Sequence, residues 1–139
     1  MAERIFKKKS GEKARNDIEV SSASVFNMGG APADPKAVEI LEREGIDALD
    51  HYSRLLTEEM IVEADWILVM EQQHREEIIW NYPDARDKVF LLKPFTRDCF
   101  HVNNDDTENI KDPHHLSDYH YRLCFAEISL AVEGLLKCV

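Results

Sequence analysis

The residues best suited to chemistry are concentrated in one long polar stretch, residues 96–117, and just after it. This stretch supplies many side chains of the types that ligate metals: Cys99, His101, Asp105, Asp106, Asp112, His114, His115 and, just beyond it, His120. Their spacing matches no zinc or calcium template, and residues 103–108 lack the central glycine of an EF-hand loop. Long loops in compact domains often carry function. A solvated polar loop is the default interpretation, a metal site is the alternative, and we expect no cofactor.

The three cysteines are the candidate nucleophiles, and their pattern favours a structural interpretation. Cys99, Cys124 and Cys138 are odd in number and share no metal or redox spacing, which is typical of reduced thiols. Cys124 falls on the apolar stripe of a predicted helix, where a small core residue is favoured. Cys99 lies among acidic residues, whose negative charge disfavours a thiolate.

The elements that must position these residues alternate between strand and helix. The apolar run 66–70 has no polar alternation, which predicts a strand covered on both faces, as in a parallel sheet. The flanking pattern therefore predicts an α/β fold. Predicted strands cover 18–24, 66–70 and 88–92. Five helices are predicted: 1–15, Pro35 to Gly45, a short segment after Thr57, Gln72 to Asn81 and a last helix that begins at Ser117. Asp34 is the predicted cap of the second helix. The helix Gln72 to Asn81 is predicted to pack through Ile78, Ile79 and Trp80.

Length and charge set limits on the class of protein. The length of 139 residues and the hydrophobic content of 44% predict one domain with its own core. Its 27 acidic and 17 basic residues give a net charge of −10 without a basic stripe, which argues against nucleic acid and anionic membranes as partners. No apolar run approaches the length of a membrane span, and no signal segment follows Lys7 to Lys9, so we expect a cytoplasmic protein.

Several short segments, in order along nearly the whole chain, resemble the low-molecular-weight protein tyrosine phosphatases. The segments are Val20-Ser21-Ser22-Ala23, Gly30-Ala31-Pro32-Ala33-Asp34-Pro35, His51-Tyr52-Ser53-Arg54, Ala64-Asp65-Trp66-Ile67-Leu68-Val69-Met70, Lys88-Val89-Phe90-Leu91-Leu92 and Ile110-Lys111-Asp112-Pro113. The resemblance implies a three-layer sandwich around a small parallel sheet. It also implies hydrolysis of phosphate monoesters through a cysteinyl-phosphate, with a phosphorylated protein as substrate.

One part of the family pattern is not found in this sequence. In the family, the first strand leads into a C-x5-R phosphate loop, then Ser-Pro and a helix, and residues 1–6 resemble the residues directly after that Ser-Pro. The position six after Cys99 is Asp105 and the position six after Cys124 is Leu130, so neither fits C-x5-R. We therefore expect an N-terminally truncated domain that lacks the central first strand, the nucleophile and its arginine, and that is inactive as given.

The resemblance assigns roles near the missing loop to residues that are present. Asp112 corresponds to the general acid that protonates the leaving oxygen. Phe26 with Asn27 corresponds to an aromatic wall beside the substrate. Without the resemblance, Asp-Pro is ordinary turn chemistry and Phe26 could equally be a hydrophobic plug.

Four further residues receive roles in the same way. His114 and His115 occupy the place where the family often carries substrate-facing aromatic residues. His51 and Arg54 resemble residues that brace the phosphate loop from behind. Alone, these last two would be an ordinary surface connector.

Two hypotheses about function follow. The chain is either part of a genuine phosphatase or a non-catalytic relative that binds a partner or associates with itself. Removing a central strand would leave two strand edges, at 18–24 and 66–70, open to new pairing. Either these two segments pair directly, or another chain fills the space, for instance in a homodimer through exposed strand edges.

Overall fold

A computed structural model describes residues 1–26, 28–97, 99 and 108–139. The described residues form α1 (Ala2–Glu12), α2 (Pro35–Arg43), α3 (Glu58–Glu63), β1 (Ile67–Val69), α4 (Gln72–Asn81), β2 (Val89–Leu91) and α5 (Asp118–Leu135). Two short 3-10 helices, Pro83–Lys88 and Lys93–Thr96, flank β2. Within these ranges no helix is both long and apolar enough to cross a membrane.

The centre of the fold is the parallel pair β1 and β2, in which Ile67 lies opposite Val89 and Val69 opposite Leu91. The strand predictions at 66–70 and 88–92 are confirmed in position. Because side chains alternate along a strand, Val69 packs into one apolar cluster and Leu68 against another. Helices cover both faces of the sheet, and the predicted α/β three-layer sandwich is confirmed.

The two apolar clusters lie on opposite sides of this sheet. The larger one joins α1, α2, α5 and the 3-10 helix Lys93–Thr96, and the smaller one joins α3, α4 and the 3-10 helix Pro83–Lys88. At one point α5 approaches its neighbour very closely. A Cβ atom on Gly134 would lie 1.7 Å from the carbonyl oxygen of Phe95, so only glycine fits there.

The predicted helix caps are largely confirmed. The side chain of Asp34 accepts a hydrogen bond from the N–H of Lys36, and that of Thr57 from the N–H of Met60. Gly45 adopts φ +71° just after α2, the left-handed conformation expected of a helix stop. Ser117 stands at the predicted cap of α5, but its hydroxyl pairs with the ring of His120 instead of a backbone N–H.

The prediction of a regular strand at 18–24 is wrong. Among the described residues its only ladder contact is the parallel bridge between Ser24 and Leu55. A segment forms a strand only when it makes hydrogen bonds to a neighbouring strand, and its own amino-acid composition does not reveal whether such a neighbour is present. The idea that this segment pairs directly with β1 is also wrong, because within the described residues β1 pairs with β2.

Two side-chain predictions are also corrected. Trp80 does not pack into the core and is 84% exposed, because the α4 face that carries Ile78 is the one turned towards the sheet. The three cysteines are not all reduced thiols, since Cys99 and Cys138 form a disulfide with their Cα atoms 5.5 Å apart. The fold brings the end of α5 beside Cys99, a proximity that spacing along the sequence cannot reveal.

Candidate active site

The segment 108–117, here called the acid loop, carries Asp112 and is anchored to the sheet at its beginning. The N–H of Ile110 donates to the carbonyl of Met70, directly after β1, at 2.8 Å, and the Ile110 side chain is buried. One residue earlier, Asn109 Oδ1 accepts the N–H of Gln72 at 2.7 Å. These contacts fix the start of the acid loop at the carboxyl end of β1, the edge where parallel sheets commonly place their functional groups.

Asp112 is exposed but locally ordered. Its Oδ1 accepts the backbone N–H of His114 at 3.0 Å, and the N–H of Leu116 donates to the carbonyl of Pro113 at 2.9 Å. Asp-Pro therefore does form a turn, as the simpler interpretation of the sequence predicts. The turn holds one carboxylate oxygen and leaves the side chain open to solvent, so turn chemistry and an acid role are compatible.

The other end of the acid loop is held by the first turn of α2. His114 Nδ1 lies 2.8 Å from Asp34 Oδ2, and Lys36 Nζ donates to the carbonyl of Leu116 at 3.1 Å. Asp34 also accepts the hydroxyl of Tyr121, which extends the network into α5. The acid loop is thus attached at one end to β1 and α4 and at the other to α2.

The hydrogen bonds of this network shift the pKa values of Asp34 and Tyr121. Burial by itself would raise the pKa of Asp34, but the hydrogen bonds from Tyr121, His114 and the Lys36 N–H outweigh burial and lower that pKa. Burial, together with the same Asp34 carboxylate, raises the pKa of Tyr121 to about 12. Asp34 is therefore an anion and Tyr121 a neutral hydrogen-bond donor at neutral pH.

His51 and Arg54 lie in the connector that follows α2. Arg54 Nε donates to the carbonyl of Ser22 at 2.9 Å, and the Arg54 carbonyl accepts the N–H of Ser24 at 2.8 Å, so Arg54 holds the end of segment 18–24. His51 is half-buried, and burial lowers its pKa, with smaller contributions in the same direction from the positive charges of the amino-terminal ammonium and Arg4. Within the described residues no hydrogen bond or ion pair joins either side chain to the acid loop.

Phe26 is 55% exposed, so the alternative prediction that it acts as a hydrophobic plug is wrong. The backbone N–H of Phe26 donates to Ser24 Oγ at 3.2 Å, directly after segment 18–24. Asn27, the other half of the expected aromatic wall, lies outside the described residues. His115 is exposed and has φ +65°, and its ring contacts that of His114 with centroids 3.8 Å apart and a tilt of 44° between the ring planes.

None of the three cysteines is arranged as a nucleophile. Cys99 and Cys138 are bonded to each other. Cys124 is buried, as the sequence predicts, and burial raises its pKa to about 11, so it remains a protonated thiol at neutral pH.

A metal centre has no support in the part of the chain that the structure describes, where no group of three potential ligands lies together. Three of the candidate ligands, His101, Asp105 and Asp106, lie outside the described residues.

Sequence reasoning missed four residues that build the site: Asp34, Lys36, Asn109 and Tyr121. The sequence pattern predicts Asp34 only as a helix cap and predicts no site role for the other three. One signal was available for Asp34, because a cap needs a single acceptor and a carboxylate carries two oxygens. The partners of Asn109 and Lys36 are distant in the sequence and carry no local signal.

Comparisons with known proteins agree on one family. Residues 1–139 match the family described as "Low molecular weight phosphotyrosine protein phosphatase". The chain is 42% identical over 95 residues to the protein-arginine-phosphatase of Bacillus subtilis (strain 168), a match that covers 68% of this chain and 62% of that protein. It is 33% identical over 116 residues to the low molecular weight protein-tyrosine-phosphatase Ptp of Acinetobacter johnsonii, covering 84% of this chain and 72% of that one.

Solved structures give the same answer for the fold. A low molecular weight protein tyrosine phosphatase from T. tengcongensis superposes with a TM-score of 0.86 at 33% identity, over 99% of this chain and 88% of that chain. A mutant of YwlE from Bacillus subtilis superposes with a TM-score of 0.85 at 34% identity, over 98% and 86% of the two chains.

Proposed function

Because the chain belongs to the low molecular weight phosphotyrosine protein phosphatase family, we propose that it carries the proton-donor side of a site that removes phosphate from phosphorylated proteins. Asp112 is the general acid in this proposal. The supporting observation is that its exposed carboxylate stands on a loop attached at both ends, at Met70 and at Asp34. A general acid needs this combination, because it must reach the substrate and yet keep a fixed position.

The reaction needs two proton transfers at one carboxyl group, the first from it and the second to it. In the first step a cysteine thiolate attacks phosphorus, the bond to the leaving atom breaks, and Asp112 gives that atom its proton. In the second step water attacks the cysteinyl-phosphate, Asp112 takes a proton from the water, and the phosphorus–sulfur bond breaks to release phosphate. The thiolate and the donors for the phosphoryl oxygens belong to the C-x5-R loop, a pattern that these 139 residues do not contain.

The remaining site residues receive supporting roles in the same proposal. Phe26 and Asn27 form one wall of the substrate pocket, and His114 and His115 lie on the acid side. His51 and Arg54 support the phosphate loop, in line with the hydrogen bonds of Arg54 to segment 18–24. The substrate is a phosphorylated protein side chain, and the named relatives include both protein-arginine- and protein-tyrosine-phosphatases.

Aryl phosphate hydrolysis by two polypeptides tests this function. The 139-residue chain should give no turnover above buffer, because the nucleophile and most of the donors for the transition state are absent. A chimera that adds the first strand and C-x5-R-S-P loop of the Bacillus subtilis relative before Met1 should hydrolyse the ester. In that chimera Asp112→Asn should lower kcat by about 10²–10⁴-fold, the usual contribution of a general acid.

The matched control is Asp87→Asn in the same chimera, an exposed acid in the 3-10 helix Pro83–Lys88. It should leave kcat unchanged. Enzyme-like turnover by the 139-residue chain would contradict the proposed inactivity. An active chimera that is insensitive to Asp112→Asn would contradict the acid role. The DNA upstream of Met1 adds an independent check, since an in-frame C-x5-R-S-P there supports a complete phosphatase.

One observation favours a second candidate, a module that binds an added strand. In the described residues β1 is paired on one edge with β2, and the segment 18–23 lacks ladder partners. Unpaired edges accept strands from other chains, so self-association through them is the alternative function. Light scattering across a wide concentration range decides: a stable dimer supports this module, and a monomer at all concentrations argues against it.

A further inference from the structure

Asp34 does more than cap α2, because its two carboxylate oxygens have separate partners. Oδ1 accepts the N–H of Lys36 at 2.9 Å, which is the capping bond. Oδ2 accepts the hydroxyl of Tyr121 at 2.5 Å and lies 2.8 Å from His114 Nδ1. Capping needs one acceptor, and serine or asparagine serves as well as aspartate. The second oxygen therefore has a function that the start of the helix does not explain.

The partners of Oδ2 come from α5 and from the acid loop itself. Tyr121 lies in the first turns of α5 and is 2% exposed, so its hydroxyl needs an acceptor within the protein. His114 lies two residues after Asp112, and its own backbone N–H is the donor to Asp112 Oδ1. One carboxylate oxygen thus connects α5 to the residue that orients the acid.

The acid loop also has a shape that needs external support. His115 has φ +65°, a conformation that residues other than glycine adopt only infrequently. On either side of it, His114 is bound by Asp34 and the carbonyl of Leu116 is bound by Lys36 Nζ. The turn is therefore maintained by contacts from α2, since its own backbone preference works against it.

We propose that Asp34 is a positioning residue for Asp112 and acts through His114. Asp34 Oδ2 fixes the His114 imidazole, and the fixed His114 presents its backbone N–H to Asp112. His114 is then a brace, and His115, whose ring has no hydrogen-bond partner among the described residues, is the histidine available to a substrate. The catalytic meaning of this inference rests on the proposed role of Asp112, whereas the brace itself does not.

Amide hydrogen exchange of the 139-residue chain, followed by NMR, tests the brace without any need for catalysis. Asp34→Ser keeps an oxygen for the Lys36 N–H and removes the carboxylate from His114 and Tyr121. Loss of one charge-assisted hydrogen bond at a partly exposed site should raise the exchange rate of the His114 amide about fivefold. His114→Ala, which keeps the backbone N–H, should do the same at position 114.

The double variant and two controls complete the test. If the two residues act as one unit, Asp34→Ser with His114→Ala should exchange no faster than either single variant. Amides of α2 should be unchanged in Asp34→Ser, and Asp87→Ser should change neither region. An exchange rate in Asp34→Ser within twofold of the unchanged chain, or effects that multiply in the double variant, would overturn the inference. Insensitivity of the chimera to Asp112→Asn would instead overturn the proposed function and leave the brace intact.

Discussion

Asn109 and Gln72 are joined by a hydrogen bond of 2.7 Å, in which the side chain of an acid-loop residue accepts the first backbone N–H of α4. Glu71 stands at the N-cap position of α4 but its side chain makes no capping bond. The acid loop therefore supplies the cap that the helix lacks in its own sequence. Helix and loop stabilise each other across a separation of 37 residues.

Substitution of Asn109 should destabilise the fold. We expect Asn109→Ala to lower the free energy of unfolding by about 1 kcal/mol, the usual cost of a lost cap. Asn109→Asp should retain most of the stability that the cap contributes, since a carboxylate also accepts this hydrogen bond and is favoured at a helix N-terminus. Urea unfolding measures both. Asn16→Ala, in the exposed turn after α1, is the control and should change the free energy little.

Two glycines in helices should respond oppositely to alanine. Gly134→Ala places a Cβ on the Phe95 carbonyl oxygen, which can move only with the backbone, so we expect a loss of about 3 kcal/mol. Gly11→Ala meets nothing within 4 Å and should gain about 0.5–1 kcal/mol from helix propensity. Thermal unfolding of the two variants compares them directly. A neutral Gly134→Ala would show that α5 and the 3-10 helix Lys93–Thr96 are farther apart.

The Cys99–Cys138 disulfide should contribute strongly to stability. It spans 39 residues, and closing a chain segment of that length stabilises a protein by about 2–4 kcal/mol. Reduction should lower the free energy of unfolding by this amount, and the same reductant should have no effect on Cys138→Ser. Under denaturing conditions, thiol titration should find one thiol before reduction and three after it, because Cys124 is the free cysteine. Three thiols before reduction would contradict the bond.

Acid should weaken the contribution of Asp34. Its folded pKa lies below the ordinary value of 3.8, so the folded state binds its proton less readily than the unfolded state. The stabilisation is therefore complete well above pH 3.8 and is lost as the pH falls past that value and through the folded pKa. In urea unfolding, the stability difference between the unchanged chain and Asp34→Ser should be largest near neutral pH and should shrink below pH 3.8. A difference that does not vary with pH would contradict the ionised brace.

The features that the sequence predicts well are those fixed by nearby residues. Asp34, Pro35 and Gly45 mark the ends of α2 through local bonds and backbone freedom, and the apolar run at 66–70 locates β1. The bounds of α4 agree with the prediction at both ends.

The features that the sequence predicts poorly depend on partners elsewhere in the chain. Segment 18–24 has the composition of a strand but, among the described residues, forms only one bridge, at Ser24, because a ladder needs a second strand. Cys99 and Cys138 meet only after α5 has packed. At the candidate site, the family pattern singles out Asp112, whereas the contact between Asp34 and His114 joins residues that lie 80 positions apart in the sequence.

The alternation of side chains along β1 ties the position of the acid loop to the length of that strand. A single inserted residue would send every following side chain to the opposite face and would move the Met70 carbonyl away from the N–H of Ile110 that it holds. One apolar residue can therefore replace another in this strand with little effect on the acid loop, whereas we expect a one-residue insertion or deletion to displace Asp112.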